Sequence, residues 1–342
     1  MFKNLVLISF ISLPLASENL LDIYNEALDN DPQYKSSEYS LLAGKEFVVQ
    51  GRAGLLPNVT LSGSTNWNEY YQFDELQSAY NNNSVTARLT QPLFRLDSWF
   101  NFKRSKKLTD ASEADFAYAQ QNLIIRTVEK YFGVLRAIDN LNAAVSEEKA
   151  IKKQLDQIQQ RFEVGLSAIT EVQEAQLAYD LSVAAKIRSE GALFNAREEL
   201  NSLIGREIFS IDSLKADIVP ENPNPTTKQE WVDIALKNNY RLQASALRRD
   251  ASQDSARSSA SEHLPKINIV GTESESNTNQ YSYEGFEDFG FQAPSETQRK
   301  NYSLSLSIPI SQGGAVSSRR RQAYAEYNRA CLLYTSPSPR DY

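Results

Sequence analysis

Side chains that could carry out chemistry are few and scattered in this sequence. The single histidine is His263 and the single cysteine is Cys331. His263 directly precedes Leu264-Pro265, where a helical pattern gives way to a strand pattern. It therefore fits a junction residue better than a metal ligand or a general base. No HExxH, GxSxG or P-loop pattern occurs. We predict no enzymatic activity, no cofactor and no metal site.

The charged residues also narrow the range of binding functions. The 342 residues carry a formal net charge of −7, whereas a nucleic-acid-binding surface needs clustered Lys and Arg. The short basic run from Lys103 to Lys107 fits a solvated helix face or a membrane-proximal patch better than a phosphate-binding site. Acidic pairs such as Glu147-Glu148 lie in helical patterns and fit solvated faces. We therefore expect no nucleic acid partner, and one cysteine excludes a disulfide framework.

The N-terminal residues have the layout of a cleavable secretory signal. Lys3 is followed by an apolar stretch from Leu5 to Ala16, and then by Ser17 and Glu18. As a helix this stretch would span about 18 Å, which is too short for the ~30 Å of bilayer hydrocarbon. We predict a signal peptide over residues 1–17 and no transmembrane helix in the mature chain.

The remainder of the chain contains an internal repeat. Ala27-Leu28 recurs as Ala235-Leu236, and Leu56-Pro57 recurs as Leu264-Pro265. Short helices, a strand, a loop, a strand and a long helix therefore begin twice. The predicted parts are a first repeat over 18–206 with a β-hairpin at 57–92 and a helical hairpin at 98–205, a connector at 207–228, and a partial second repeat over 229–330 with a β-hairpin at 264–310.

The predicted strands alternate between an apolar face and a face rich in Ser and Thr. Val59 and Leu61 share one face, for example, and Thr60 and Ser62 share the other. This alternation fits either a soluble, half-buried sheet or a membrane β-barrel with a wet lumen. Aromatic residues in the predicted loops favour the barrel, since such rings suit a membrane interface: Trp67, Tyr70, Tyr71, Phe73, Tyr80, Tyr281, Tyr283, Phe286, Phe289 and Phe291. Four strands cannot close a pore, so several copies would have to share one barrel.

A long helical segment follows the first pair of strands. Apolar residues recur at alternating steps of three and four, which is a heptad seam. From Ser98 to Glu163 such a helix would be about 100 Å long. Gly165 breaks the pattern, and a second helix ends near Gly205. The fold class is therefore α+β: membrane β-barrel strands, four per protomer, joined to a long antiparallel coiled coil with its tip near Val164 to Ser167.

Several short motifs, in order and partly duplicated, are similar to those of the TolC-type outer-membrane efflux family. The most specific runs from Gln159 to Leu166 and continues into Ala168-Ile169-Thr170. The others are Glu18-Asn19-Leu20, Leu55-Leu56-Pro57, Gln91-Pro92-Leu93-Phe94, Tyr131-Phe132-Gly133-Val134-Leu135, His263-Leu264-Pro265, Ile308-Pro309-Ile310 and Gln312-Gly313-Gly314. The resemblance covers Glu18 to Ala330.

The resemblance implies an outer-membrane channel that extends into the periplasm of a Gram-negative bacterium. It implies a homotrimer with a shared 12-stranded barrel in outer-membrane lipid, and a passive duct for tripartite efflux or type I secretion of drugs or proteins. A periplasmic adaptor and an inner-membrane pump of the RND, ABC or MFS type would be its partners.

The resemblance also assigns roles around the hairpin tip. It places adaptor contacts at Arg161, Phe162, Val164, Gly165 and Leu166. It places a periplasmic gate at Thr170 and Glu171, where the family's pattern has an aspartate in place of this glutamate. Copies of that negative charge along a narrow lumen would favour cations.

Two other functions are possible for such a sequence. A periplasmic adaptor also has a long helical hairpin, but it would lack the duplicated strand pairs. A secreted enzyme would need a set of catalytic residues.

The C-terminal residues 331–342, CLLYTSPSPRDY, resemble translated sequencing-adapter DNA and are expected to interrupt the helix after Ala330. The tip of a second hairpin would fall beyond Tyr342, so the resemblance implies a chain cut off partway through its second repeat.

Overall fold

The computed structural model describes residues 17–214, 222–281 and 295–335. Three of the predictions fall wholly or mostly outside these ranges. They are the signal peptide up to residue 16, the last residues of the tail at 336–342, and the four aromatic residues Tyr283, Phe286, Phe289 and Phe291.

Helices and strands follow one another in the order expected for two copies of one unit. The elements are α1 (Leu20–Asn30), α2 (Pro32–Ala53), β1 (Asn58–Gln72), β2 (Glu75–Phe94), α3 (Leu96–Glu163), α4 (Ile169–Ile204), α5 (Lys228–Asn238), α6 (Tyr240–Ser261), β3 (Lys266–Tyr281), β4 (Ser295–Ser307) and α7 (Ala315–Thr335). The four strands form one antiparallel sheet in the order β1-β2-β3-β4. The predicted α+β class is confirmed.

The strands of the first β-hairpin are longer than the sequence pattern suggested, and the loop between them is correspondingly shorter. β1 and β2 pair from Asn58↔Thr90 to Gln72↔Glu75. Only Phe73 and Asp74 lie between the strands, and both have positive φ angles, of 54° and 64°. Two consecutive positive φ angles are typical of the tight turns whose twist matches that of paired strands. The placement of five aromatic residues in the joining loops was wrong, because Trp67, Tyr70, Tyr71, Tyr80 and Tyr281 are strand residues.

The chain divides into two compact units that cut across the predicted repeats. One unit comprises Met1–Tyr39 and Phe116–Asn238, and the other comprises Ser40–Asp115 and Asn239–Tyr342. Each repeat contributes two strands to the same sheet, so the strands of both repeats belong to the second unit.

The first unit is organised around a core between α1, α3 and α4. Ile23 of α1, Leu123 of α3 and Leu200 and Ile204 of α4 are almost fully buried. A short parallel bridge between Glu18 and Ile211 brings the chain after α4 beside the start of α1. In this small core α1 packs where the C-terminal end of α4 lies against the middle of α3.

Asp31 links the first two helices to α3. It is the cap at the end of α1, and its carboxylate accepts a hydrogen bond from the backbone N–H of Gln33 at 2.7 Å, at the start of α2. Pro32, the first residue of α2, needs no donor there, because the first N–H groups of a helix lack intrahelical acceptors. The other carboxylate oxygen of Asp31 accepts a hydrogen bond from Arg126 of α3. One buried side chain therefore links the end of α1 and the start of α2 to α3.

In the second unit α2 and α3 approach closely through small residues. A Cβ atom added to Gly51 would lie 2.5 Å from the Cβ of Ser105, and one added to Gly44 would collide with Ser112. Gly44 and Gly51 are seven residues apart, and so are Ser105 and Ser112. The earlier glycine meets the later serine, so the two helices run antiparallel. Thr109 adds a hydrogen bond of 2.9 Å to the carbonyl of Gly44.

The C-terminal helix differs from the expectation in one respect. α7 runs without a break from Ala315 through Cys331 to Thr335. The prediction that the helical pattern is interrupted after Ala330 was wrong for the residues up to Thr335. No helix in the part of the chain that the structure covers is both long and apolar enough to span a bilayer.

Candidate functional site

The tip of the helical hairpin is closed by a glycine turn. The N–H of Leu166 donates to the carbonyl of Arg161 at 2.8 Å, and the N–H of Gly165 donates to that of Phe162 at 2.9 Å. These two bonds, with Gly165 in the left-handed region at φ 76°, form a Schellman motif. The turn ends α3 at Glu163, and α4 begins at Ile169. The sequence prediction placed the tip at 164–167, where the structure also has non-helical residues.

The turn exposes apolar side chains to water. Val164 and Leu166 are each 69% exposed, and Phe162 and Ile169 also lie largely outside any core. We call these four residues the tip patch. Arg161, the remaining predicted contact residue with a side chain, is exposed beside them. Ile169 was not among the predicted contact residues. Its place in the first turn of α4, next to the tip, could have indicated that its side chain is exposed there.

The predicted gate residues lie directly after the tip patch, at the start of α4. Ala168 is the N-cap and makes no side-chain cap, so Thr170 and Glu171 are the second and third residues of the helix. The hydroxyl of Ser167 donates a hydrogen bond to the Glu171 carboxylate. A carboxylate in the first turn also interacts favourably with the positive end of the helix dipole. Both predicted gate residues are exposed in the single chain, where their carboxylate and hydroxyl are available to solvent.

One face of the four-stranded sheet is rich in hydroxyl groups. The opposite face, which we call the apolar face, is apolar in the rows from Ile267 to Gly271 and carries charged side chains in the rows beyond them: Glu273, Glu275, Glu296 and Lys300. Cross-strand pairs align Val59, Leu89, Gly271 and Tyr302 in one row of the apolar face. Val59 is 68% exposed and Tyr302 79% exposed, although soluble proteins bury such rows. An exposed apolar band on a sheet is typical of a surface that faces lipid.

The opposite face of the sheet is held together by hydroxyl contacts. Ser64 and Ser84 share a hydrogen bond of 3.0 Å, and Thr86 donates to Ser274 at 3.1 Å across β2 and β3. Small polar side chains of this kind tolerate a water-filled interior. The described residues contain no group of three or more His, Cys, Asp or Glu side chains that could hold a metal ion.

Comparison with known proteins places these features in one family. The family model described as "Outer membrane efflux protein" matches residues 23–206 and 231–336. The chain is 31% identical to the outer membrane protein TolC of Vibrio cholerae serotype O1 over 322 residues, which cover 93% of this chain and 70% of that protein. It is 26% identical to the proteases secretion protein PrtF of Dickeya chrysanthemi, covering 91% of this chain and 68% of that protein.

The fold is also similar to that of a solved outer-membrane channel. The crystal structure of the Campylobacter jejuni CmeC outer membrane channel matches with a TM-score of 0.75 at 18% identity. The match covers 94% of this chain and 67% of CmeC. The matched family model spans both predicted repeats, including the hairpin tip and all four strands. The chain belongs to the outer membrane efflux protein family.

Proposed function

We propose that the protein is the outer-membrane channel of an export system, a passive duct from the periplasm to the exterior. The observation that carries this proposal is the exposed apolar face of the sheet, backed by a face of hydroxyl groups. Such a sheet is suited to separate lipid from water. The channel proteins among the relatives, TolC and CmeC, support the same function.

The edges of the sheet indicate how copies would assemble. β1 and β4 are at the two ends of the strand order, and each pairs with one neighbour among the described strands. Unpaired strand edges are too costly in hydrocarbon, so β1 of one copy has to pair with β4 of another. We propose a homotrimer with a shared 12-stranded barrel, as the family resemblance implies.

The helical hairpin would supply the periplasmic part of the duct. We propose that the tip patch and Arg161 contact a periplasmic adaptor and that Thr170 and Glu171 line the gate. Energy would come from an inner-membrane pump of the RND, ABC or MFS type, and opening would be a shift in the population of hairpin positions. PrtF is named as a protease secretion protein, which supports type I secretion of proteins beside efflux of drugs.

The alternative role as an adaptor is not favoured. An adaptor would lack the duplicated strand pairs. In this protein two strand pairs are present, and they form one sheet of long strands. The similarity to channel proteins also favours a function without catalysis.

A pair of adjacent substitutions tests the membrane role of the sheet. Val59 is 68% exposed in a row without charges, and Thr60 follows it on the hydroxyl face. Val59→Asp should reduce the yield of outer-membrane trimers, because a charge on a lipid-facing strand costs up to about 2–4 kcal/mol at the bilayer midplane. Thr60→Asp should leave trimers intact, as measured by membrane fractionation and by heat-dependent migration in gels. A wild-type chain recovered as a soluble periplasmic monomer would refute the channel assignment.

A further inference from the structure

We propose that the hydroxyl face of the sheet carries an anion-binding strip centred on Arg88 and Arg299. Its ligands would be permeating organic anions that bear carboxylate, sulfonate or phosphate groups. The inference rests on the proposed function in one respect, since it takes this face to line the lumen of the duct.

The strand register places the two arginines on the same face. Arg88 of β2 is opposite Thr272 of β3, and Arg299 of β4 is opposite Ser274 of β3. Thr272 and Ser274 are two residues apart and therefore point to the same side of the sheet. The two arginines thus flank β3 in adjacent cross-strand rows. A groove of about 480 Å³ is lined by Thr86, Arg88, Thr272, Ser274, Ser276, Thr297, Arg299 and Asn301.

Charge is distributed unequally between the two faces. From the row of Asn58 to the row of Asn66, the hydroxyl face contains Arg88 and Arg299 and no carboxylate. The acidic residues Glu273, Glu275 and Glu296 of the same strands have the opposite parity and lie on the other face. Since the chain as a whole has a net charge of −7, this segregation does not follow from its composition.

The two arginines differ from the charged residues of the other face in their ion pairing among the described residues. On the other face Lys300 forms an ion pair with Glu273 at 2.9 Å. Within the described ranges of the chain, neither Arg88 nor Arg299 forms an ion pair, and both side chains are exposed. Their guanidinium groups are therefore free to interact with a solute.

The lining has the donors that an oxyanion requires. A guanidinium binds carboxylate, sulfonate or phosphate oxygens through two parallel N–H groups, and neighbouring hydroxyls supply further donors. In an open, wet lumen this attraction is weakened by water and salt. Weak, repeated binding suits a conduit, because a permeant has to enter readily and leave again. The strip has the opposite sign to the Glu171 carboxylate at the hairpin tip.

A charge-matched pair of variants tests the strip. One variant is Arg88→Gln with Arg299→Gln. The control is Lys45→Gln with Lys106→Gln, which removes the same charge from exposed helix positions outside the sheet. Each purified protein is titrated in detergent with hydroxypyrene trisulfonate, a fluorescent organic anion, and binding is read as anisotropy. Each is also inserted into planar bilayers, where the reversal potential in a KCl gradient gives the ratio of chloride to potassium permeability.

We expect the arginine variant to bind the dye at least about threefold more weakly and to lose at least about twofold in chloride-to-potassium permeability. The control should retain wild-type values in both measurements. Unchanged dye affinity and unchanged permeability ratio in the arginine variant would overturn the strip while leaving the channel function in place. If the wild-type protein forms no conductance at all, the proposed function fails, and the dye titration still decides whether the two arginines bind anions.

Discussion

The hydroxyl of Ser167 donates a hydrogen bond to the carboxylate of Glu171 across the start of α4. Ala168, the N-cap between them, offers no side-chain acceptor to the first N–H groups of the helix. Glu171 thus supplies negative charge to a helix N-terminus that is otherwise uncapped. A substitution of Glu171 would therefore alter both the proposed gate and the local stability of the tip, and an experiment has to separate the two effects.

We predict that Glu171→Gln lowers the preference of the channel for cations, because it removes one negative charge per copy from the proposed gate. Ser167→Ala is the matched control, since it removes the hydrogen bond and leaves the charge. Reversal potentials measured in a KCl gradient across planar bilayers distinguish them. If both variants shift the potential equally, the effect comes from the shape of the tip and the gate role of Glu171 is wrong.

A second prediction concerns the turn at Gly165. Its φ of 76° is unfavourable for any residue with a Cβ atom, yet nothing lies within 4 Å of the position where that atom would be. Gly165→Ala should therefore destabilise the hairpin by about 1–2 kcal/mol through backbone strain alone. Urea unfolding in detergent, followed by far-UV circular dichroism, measures the change together with the rate of proteolysis at the tip.

Gly191 is the control for this substitution. It lies in the interior of α4, and its added Cβ would also meet nothing within 4 Å. Gly191→Ala should stabilise the protein by about 0.5–1 kcal/mol, because alanine loses less entropy than glycine in a helix. Effects of the same sign at both glycines would contradict the assignment of strain to the left-handed conformation of Gly165.

A third prediction tests the close approach of α2 to α3. Gly51→Ala should cost about 1–3 kcal/mol, since the new methyl group meets Ser105 and the two helices would have to separate. The double variant Gly51→Ala with Ser105→Gly should recover part of this loss by removing the side chain that is struck. The same urea unfolding experiment measures both variants. If the double variant is no more stable than Gly51→Ala, a clash with the Ser105 side chain is not the cause of the destabilisation.

These contacts show which parts of the structure the sequence could predict. Heptads and period-two alternation act over neighbouring residues, so the long helices, the strand pairs and the turn at Gly165 were predictable. Gly44 and Gly51, where α2 approaches α3, are also one heptad apart. A search for recurring apolar side chains does not detect them, because glycine has no side chain. Trp67 and Tyr80 were misplaced because clustered Asn residues suggest a loop. Trp67 is held in an extended strand by the pairing of β1 with β2, and Tyr80 also by the pairing of β2 with β3, which is a tertiary effect.

The candidate site divides in the same way. The position of the tip follows from a local glycine signal, whereas its proposed adaptor contacts were assigned by resemblance to the family; the structure shows these residues exposed together. The face shared by Arg88 and Arg299 depends on the register between strands nearly two hundred residues apart in the chain, for example Thr86 with Ser274. No local pattern in the sequence specifies that register, so the charge segregation between the two faces could be recognised only from the pairing.

A fourth prediction concerns the ion pair between Asp31 and Arg126. The Asp31 side chain is 3% exposed, and it both caps α2 and accepts a hydrogen bond from Arg126. Asp31→Asn keeps the capping oxygen and removes the charge, whereas Asp31→Ala removes both. We expect Ala to be about 1 kcal/mol less stable than Asn. A double-mutant cycle with Arg126→Gln, again by urea unfolding, should give a coupling of about 1–3 kcal/mol. Equal stabilities of the Asn and Ala variants would rule out the capping role.

The last prediction is a pH dependence at the junction between the sheet and α3. Asp97 accepts hydrogen bonds from Arg95 at 3.0 and 2.8 Å, and Lys266 of β3 lies 3.0 Å from its carboxylate. The hydroxyl of Ser258 in α6 also donates to the backbone carbonyl of Asp97 at 2.8 Å. Burial alone would raise the pKa of Asp97, but the hydrogen bonds from Arg95 and Lys266 outweigh it and hold this pKa well below its usual range.

A carboxyl group whose pKa is lower in the folded state stabilises the protein at a pH above its unfolded pKa, which is about 3.9 for aspartate. That stabilisation is lost as the pH falls from this value towards the folded pKa. At pH 7, Asp97→Asn should therefore reduce the free energy of unfolding by about 1.5–3 kcal/mol, the range for a hydrogen bond to a charged group. The difference from wild type should stay constant down to about pH 5 and shrink below about pH 4. Glu113→Gln, which changes an exposed acid on the same helix, is the control and should leave the free energy of unfolding at pH 7 within about 0.5 kcal/mol of wild type. A deficit of Asp97→Asn that persists unchanged to pH 2.5 would mean that the shape of the side chain, and not its charge, holds the junction together.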